Sequence, residues 1–138
     1  MTNQISIDSL PSGTGVKTTA FWGGMRFTHY GILDRTWDGS VVIHHNSKRH
    51  GRAVTTDLFG FSDGQIVFLD TLPANLNRGW EIAERARTDV ERGVTWTVVN
   101  NCEDMKSRAL TGQWGSPTRN AIVGLGVAGV LLALVLGS

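Results

Sequence analysis

The stretch Arg26–His45 reads RFTHYGILDRTWDGSVVIHH, and its pattern is typical of a β-hairpin. Two runs rich in β-branched and aromatic residues flank Asp38 and Gly39, and an Asp-Gly pair favours the tight turn of a β-hairpin. The pattern therefore predicts two antiparallel strands that lie side by side. One strand carries His29 and the other carries His44, so a single turn is expected to bring these two histidines together.

Similar strand patterns occur on both sides of this hairpin, and a helical pattern follows them. The runs are separated by Gly, Asn, Asp and Pro, which favour turns. From about Leu76 to Arg92 the apolar residues recur at helical spacing, and Gly93 is placed to end the helix. The sequence thus predicts an α+β fold, a small antiparallel sheet packed with helices. The four strands are expected at Gly15–Phe21, Arg26–Leu33, Ser40–His45 and Gln65–Leu69.

The composition limits the size of the core and the class of partner. With 138 residues the chain is long enough for one modest hydrophobic core, and 13 Lys and Arg against 12 Asp and Glu give a net charge of +1. The basic residues are scattered along the chain, so no nucleic-acid partner is expected. A single cysteine excludes an intrachain disulfide, and the first residues lack the pattern of a secretory signal.

The single cysteine, Cys102, lies in the stretch VVNNCEDM at the start of a second helical pattern. Two asparagines precede it and two acidic residues follow it, a pattern that favours an N-cap and a first helical turn. The backbone N–H groups at a helix N-terminus lower the pKa of a thiol and can also hold a developing oxyanion. A nucleophilic thiol needs a base, and a histidine held by another polar group is the usual partner.

Other interpretations of these residues stay open. An inert buried thiol is the ordinary state of a free cysteine. A metal site built from His29, His44 and Cys102 has workable ligand chemistry, but neither C-x-x-C nor H-x-x-x-H spacing supports it, so no metal and no cofactor are expected. His45 follows His44 directly, and a shift of one residue in the strand register would exchange these two histidines between the faces of the sheet.

The motifs THYGIL around His29, VVIHH around His44 and NNCEDM around Cys102 resemble the H…H…NCE signature of the lecithin:retinol acyltransferase-like family. That family is a permuted branch of the papain-like NlpC/P60 folds, and the resemblance extends from about residue 10 to 118. It implies a permuted papain-like fold with His29 as general base, His44 as the residue that orients this base, and Cys102 as nucleophile. The chain departs from the family where Asp104 and Met105 replace a histidine and a phenylalanine.

The resemblance implies a thiol-dependent acyltransferase or phospholipase A-type enzyme that acts on acyl esters of membrane lipids through a cysteine thioester. The expected partner is therefore a phospholipid or another acyl lipid. Two alternatives keep the same residues. One is a cysteine peptidase or amidase of the NlpC/P60 type, and the other is a membrane-anchored interaction protein that retains the fold without turnover.

The end of the chain has a different composition. Ala121–Gly137 reads AIVGLGVAGVLLALVLG, and as a helix this uncharged run would extend roughly 25 Å, against ~30 Å for the hydrocarbon core of a bilayer. We therefore expect a catalytic domain over 1–119 and a transmembrane or membrane-anchoring helix over 120–138; a buried core helix is the alternative. We call residues 1–119 the head. Basic residues lie on the head side of the run, which predicts a tail-anchored membrane protein with its head in the cytoplasm.

Overall fold

An antiparallel sheet forms the centre of the molecule in a computed structural model that describes residues 6–96 and 102–112. Within these ranges the sheet has five strands, and every neighbouring pair is antiparallel. The strands are β1 (Gly15–Trp22), β2 (Met25–Arg35), β3 (Val41–Ser47), β4 (Arg52–Thr56) and β5 (Val67–Thr71), in the order β4-β3-β2-β1-β5.

Helices surround this sheet and complete the α+β fold. A short 3₁₀ helix, Ile7–Ser9, precedes the first strand, and the α-helices are α1 (Leu58–Ser62), α2 (Leu76–Glu91) and α3 (Cys102–Thr111). The predicted α+β class, with an antiparallel sheet and helices, is confirmed. The four predicted strands and the helix from Leu76 are all present, whereas β4 and α1 were not predicted.

The helices cover both faces of the sheet. On one face α2 and α3 pack against Ile32 of β2 and Ala53 of β4. On the other face Phe61 of α1 packs against a cluster that includes Leu33 of β2 and Ile43 of β3. Because side chains alternate along a strand, odd-numbered residues of β2 and β3 face α1, and even-numbered residues face α2 and α3. This alternation decides which histidines meet.

The predicted membrane helix over 120–138 lies outside the described residues. Across 6–96 and 102–112, no helix is both long enough and apolar enough to cross a membrane. The predicted N-cap asparagines before Cys102 also lie outside the described ranges. The described part of α3 agrees with the prediction that Cys102 lies at or just inside the start of a helix.

Candidate functional site

The loop between β2 and β3 sets the register of the histidines. Strand pairing leaves a loop of five residues, 36–40, whereas a tight turn made by Asp38 and Gly39 would leave only two. The difference shifts the register by one residue. Because side chains alternate between faces, this shift turns His44 away from the face that carries His29. The expectation that His44 neighbours His29 is therefore corrected by the geometry of the loop.

His44 lies on the face covered by α2, in a hydrogen-bonded cluster. Its Nε2 is 2.9 Å from Asp34 Oδ2, and its Nδ1 is 2.7 Å from Thr55 Oγ1. Arg87 of α2 donates to the same Asp34 oxygen at 2.8 Å. Burial alone would raise the pKa of Asp34, but the hydrogen bonds from His44 and Arg87 hold this pKa well below its usual range. The cluster joins α2 to the sheet.

His45, the next residue along β3, is the histidine that meets His29. His29 Nε2 and His45 Nδ1 are 2.9 Å apart, and His45 Nε2 is 2.9 Å from Thr56 Oγ1. The ring of Phe61 stacks on the ring of His29 with the centroids 5.0 Å apart. His29 is 8% exposed and His45 is 2% exposed. Two histidines from neighbouring strands thus form a buried, hydrogen-bonded pair.

The hydrogen bonds fix the tautomer of each histidine in this pair. The Thr56 hydroxyl donates to the backbone carbonyl of Asp57 at 3.0 Å, so its oxygen accepts the N–H of His45 Nε2. His45 Nδ1 then carries a lone pair, which accepts the N–H of His29 Nε2. The other nitrogen of His29, Nδ1, is therefore unprotonated and available as a base.

Cys102 lies against the backbone of β2. Its thiol donates to the carbonyl oxygen of Thr28 at 3.9 Å, and its sulfur accepts a hydrogen bond from the backbone N–H of Tyr30. Thr28 and Tyr30 flank His29, and their backbone groups point towards β3 where the two strands no longer pair. The thiol therefore lies in the opening that forms where β2 and β3 separate beyond the paired residues 32–35 and 41–44. The histidine pair bridges this opening on the face of the sheet that α1 covers.

The structure places Cys102 close to His29 along β2 but does not join their side chains. Both residues are described, and no hydrogen bond links them in the described part of the chain. Lys106 of α3 lies over the ring of Tyr30, so α3 covers that face of β2, whereas the ring of His29 faces α1. A proton transfer from Cys102 to His29 requires the thiol to turn away from Thr28 through the opening.

Burial determines the protonation of the site. It lowers the pKa of His29 to about 4 and the pKa of His45 to about 3, and the neighbouring histidine lowers the second value further. Burial also raises the pKa of the Cys102 thiol to about 11, although the hydrogen bond from Tyr30 acts in the opposite direction. The lowering of the thiol pKa that a helix start is expected to cause is thus smaller than the increase that burial causes. At neutral pH both imidazoles and the thiol are uncharged.

The histidine pair opens onto a cavity of about 360 Å³. Lys48 lies in its wall, with Nζ 3.1 Å from the ring centroid of Trp22 and 4.6 Å from that of Trp96. The volume is within the range of small-ligand pockets, and the wall combines aromatic side chains, which can contact an apolar chain, with polar and charged ones. Cys102 is not part of this wall. The wall includes His29, His45, Phe61, Trp22, Trp96 and Lys48.

Two residues of the site were missed in the sequence, namely Thr56 and Phe61. They lie on β4 and α1, which have five residues each and give only weak periodic signals. Asp57 is the signal that could have located them, because it precedes the run LFGF as an N-cap residue. Its carboxylate accepts the backbone N–H of Gly60 at 2.7 Å and starts α1.

The described residues contain a buried thiol at the start of α3, a neutral imidazole whose Nδ1 is unprotonated, and a cavity lined by the histidine pair. No cluster of three or more His, Cys, Asp or Glu in 6–96 and 102–112 is arranged to hold a metal ion. Comparison of the chain with family models, with curated proteins and with solved structures finds no match.

Proposed function

We propose that this protein is a thiol-dependent acyltransferase or phospholipase A-type hydrolase that acts on acyl esters of membrane lipids. Cys102 is the nucleophile, His29 is the base, and His45 takes the orienting role that the sequence suggested for His44. The observation that carries the proposal is the position of the Cys102 sulfur at the start of α3, against the backbone on either side of His29. The resemblance of HYGIL and NNCEDM to the acyltransferase-like family supports the same assignment, and we propose the permuted papain-like fold that this resemblance implies.

In the proposed reaction His29 Nδ1 removes the thiol proton of Cys102 while the sulfur attacks the ester carbonyl carbon. Backbone N–H groups at the start of α3 hold the oxyanion. The ester C–O bond then breaks, the leaving alcohol takes the proton from His29, and the acyl group stays on the sulfur as a thioester. Water or another acceptor, deprotonated by His29, attacks the thioester carbonyl carbon; the C–S bond breaks, and the released sulfur takes the proton back from His29.

The protonation states of Cys102 and His29 bear on the order of proton transfer and nucleophilic attack. A thiol pKa of about 11 and an imidazole pKa of about 4 disfavour a preformed thiolate–imidazolium pair. Proton transfer therefore accompanies the attack on the carbonyl instead of preceding it. The thiol of the free protein stays protonated, and attack on a substrate carbonyl in the cavity requires the thiol to turn from Thr28 through the opening between β2 and β3.

A second candidate is a membrane-anchored interaction protein that retains this arrangement without turnover. The neutral thiol, hydrogen-bonded to Thr28 and not to His29, favours this alternative. The NlpC/P60-type amidase uses the same nucleophile and base and differs in the bond that is cleaved. The three candidates are separated by which compound acylates Cys102.

Trapping of the acyl-enzyme tests the proposed function. The full-length chain is incubated with p-nitrophenyl butyrate, with phospholipid vesicles, or with an N-acyl peptide, then quenched in acid and analysed by intact mass and peptide mapping. We expect an added acyl group on the Cys102 peptide with the ester and the phospholipid, and none in Cys102→Ala. Acylation by the peptide alone would indicate the amidase. The absence of an adduct with all three compounds would support the interaction protein without turnover.

Substitutions of His45 and of His44 are expected to show which of the two orients His29. His45→Ala removes the acceptor that fixes His29 Nδ1 as the base, so kcat/KM for p-nitrophenyl butyrate should fall on the order of 10²-fold. His45→Gln should recover part of this loss, because its side-chain oxygen can accept the His29 N–H. His44→Ala, checked for folding by circular dichroism, should lose less. A folded His44→Ala variant that is the more damaged of the two would contradict this assignment.

Removal of residues 120–138 is expected to separate chemistry from membrane delivery. We propose that the apolar run anchors the protein by its tail with the head in the cytoplasm. The truncated head should react with p-nitrophenyl butyrate as the full chain does but lose most activity on bilayer lipid. Alkaline carbonate extraction of the two chains provides the control. A full-length chain that is extracted as easily as the truncated one would contradict the anchor.

A further inference from the structure

The turn between β1 and β2 presents a cluster of exposed apolar side chains, which we call the aromatic tip (Phe21–Phe27). Gly23 and Gly24 form the turn, with φ of 57° and 78°. Both residues lie in the left-handed region that glycine adopts without strain. Around this turn the exposed fractions are 61% for Phe21, 59% for Trp22, 71% for Met25 and 37% for Phe27.

The aromatic tip carries exposed apolar side chains on both faces of its hairpin, with Arg26 beside Phe21 on one of them. Strand pairing sets Trp22 opposite Met25 and Phe21 opposite Arg26, and neighbouring pairs face opposite directions. A protein partner with a single flat face would cover only one of these faces. A lipid bilayer surrounds an inserted tip on every side, and aromatic side chains favour the region between headgroups and acyl chains.

Basic side chains accompany the aromatic tip. Arg26 belongs to it, and Lys48 lies over the ring of Trp22. Neither of these two cations forms a salt bridge within 6–96 and 102–112, whereas the neighbouring Arg49 pairs with Asp63 at 3.2 Å. Long basic side chains next to interfacial tryptophan are placed to meet anionic headgroups while their stems stay in the apolar layer.

We propose that the aromatic tip inserts into the interfacial region of an anionic phospholipid bilayer and presents the histidine cavity to the lipid. Trp22 and Phe27 belong to the tip and also to the wall of the cavity that contains His29 and His45. An acyl chain that leaves the bilayer beside the tip therefore meets an aromatic surface that leads to the histidine pair. The role of the cavity rests on the proposed function, whereas insertion of the tip requires no turnover.

Tryptophan quenching by brominated phospholipid tests the insertion. The full-length chain is mixed with vesicles of brominated phosphatidylcholine and phosphatidylserine, and the fluorescence of Trp22 is taken as the difference between wild type and Trp22→Phe. Trp37 is the matched reference, because it is 98% exposed in the loop at the other end of β2. The eleven residues of β2 put these two ends about 35 Å apart.

We expect the lipid to quench the fluorescence of Trp22 and to leave that of Trp37 unchanged. Met25→Glu places a carboxylate in the tip and should reduce the quenching of Trp22 several-fold, whereas Trp37→Glu should not change it. Equal quenching of Trp22 and Trp37 would overturn the proposal. So would a Trp22 that is shielded from both brominated lipid and aqueous acrylamide, because a protein surface would then cover the tip. The same result in Cys102→Ala separates insertion from catalysis.

Discussion

Replacing Cys102 by alanine is expected to abolish acyl-enzyme formation and to lower kcat/KM for p-nitrophenyl butyrate by about 10³-fold or more. The proposed reaction forms a covalent bond to this sulfur, and no other cysteine exists in the chain to replace it. Alanine fills most of the space of the buried thiol, so α3 should remain folded. Initial rates and intact mass, measured on the same preparations, check the prediction.

Loss of the base is expected to have nearly the same effect as loss of the nucleophile. His29→Gln removes the free Nδ1, and because the two residues act as a unit, the double variant should be no slower than Cys102→Ala alone. Ser107→Ala on the same helix provides a matched control and should stay within about twofold of wild type. Equal rates in wild type and Cys102→Ala would refute the proposed reaction, and additive losses in the double variant would refute the pairing with His29.

The strands β1, β2, β3 and β5 could be predicted because their runs are rich in β-branched and aromatic residues and are bounded by turn residues. The helix from Leu76 was predictable for a similar reason, since its apolar residues follow helical spacing over several turns. β4 and α1 were not, because their runs RAVTT and LFGFS lack a continuous apolar stretch like the QIVFL that marks β5, which is equally short. Their positions depend on pairing with β3 and on packing of Phe61, which are contacts distant in sequence.

The candidate site was predictable in its motifs but not in its register. His29 and Cys102 stood out by resemblance, and the structure places the thiol against the backbone that flanks His29. The choice between His44 and His45 depended on whether the hairpin loop has two residues or five, and both lengths suit the sequence around Asp38. The observed register places His45, and not His44, on the same face of the sheet as His29. This register can be read only from the paired strands.

The pKa of the Cys102 thiol depends on one effect that is local in sequence and on another that is not. A helix start lowers the pKa of a cysteine, and this effect is local enough to be read from the residues around Cys102. Burial acts in the opposite direction and depends on how α3 packs on the sheet, so the sequence leaves open which of the two effects on the thiol pKa is larger. The hydrogen bond from Tyr30 offsets only part of the burial, and the pKa of the thiol rises to about 11.

The free energy of unfolding is expected to fall as the pH is lowered from about 6.5 to about 4. The folded protein holds His29 and His45 neutral, with pKa values of about 4 and about 3, whereas both take up a proton near pH 6.5 in the unfolded chain. Between these values the unfolded state binds more protons than the folded state, so lower pH favours unfolding. Each histidine contributes a slope of up to about 1.4 kcal/mol per pH unit.

Urea unfolding at a series of pH values, followed by circular dichroism, measures this slope, and two variants assign it to the histidine pair. His45→Asn removes one titrating group and should make the slope between pH 6.5 and 4 shallower. Thr56→Val removes the hydroxyl that accepts from His45 and donates to the Asp57 carbonyl but removes no titrating group, so stability should drop at every pH while the slope remains. The contribution of Asp34, whose pKa is depressed in the folded state, is present above about pH 4 and is lost only at lower pH. A wild-type stability that stays constant from pH 6.5 to 4 would mean that the two histidines are not held neutral, and the assignment of His29 Nδ1 as a free base would fail with it.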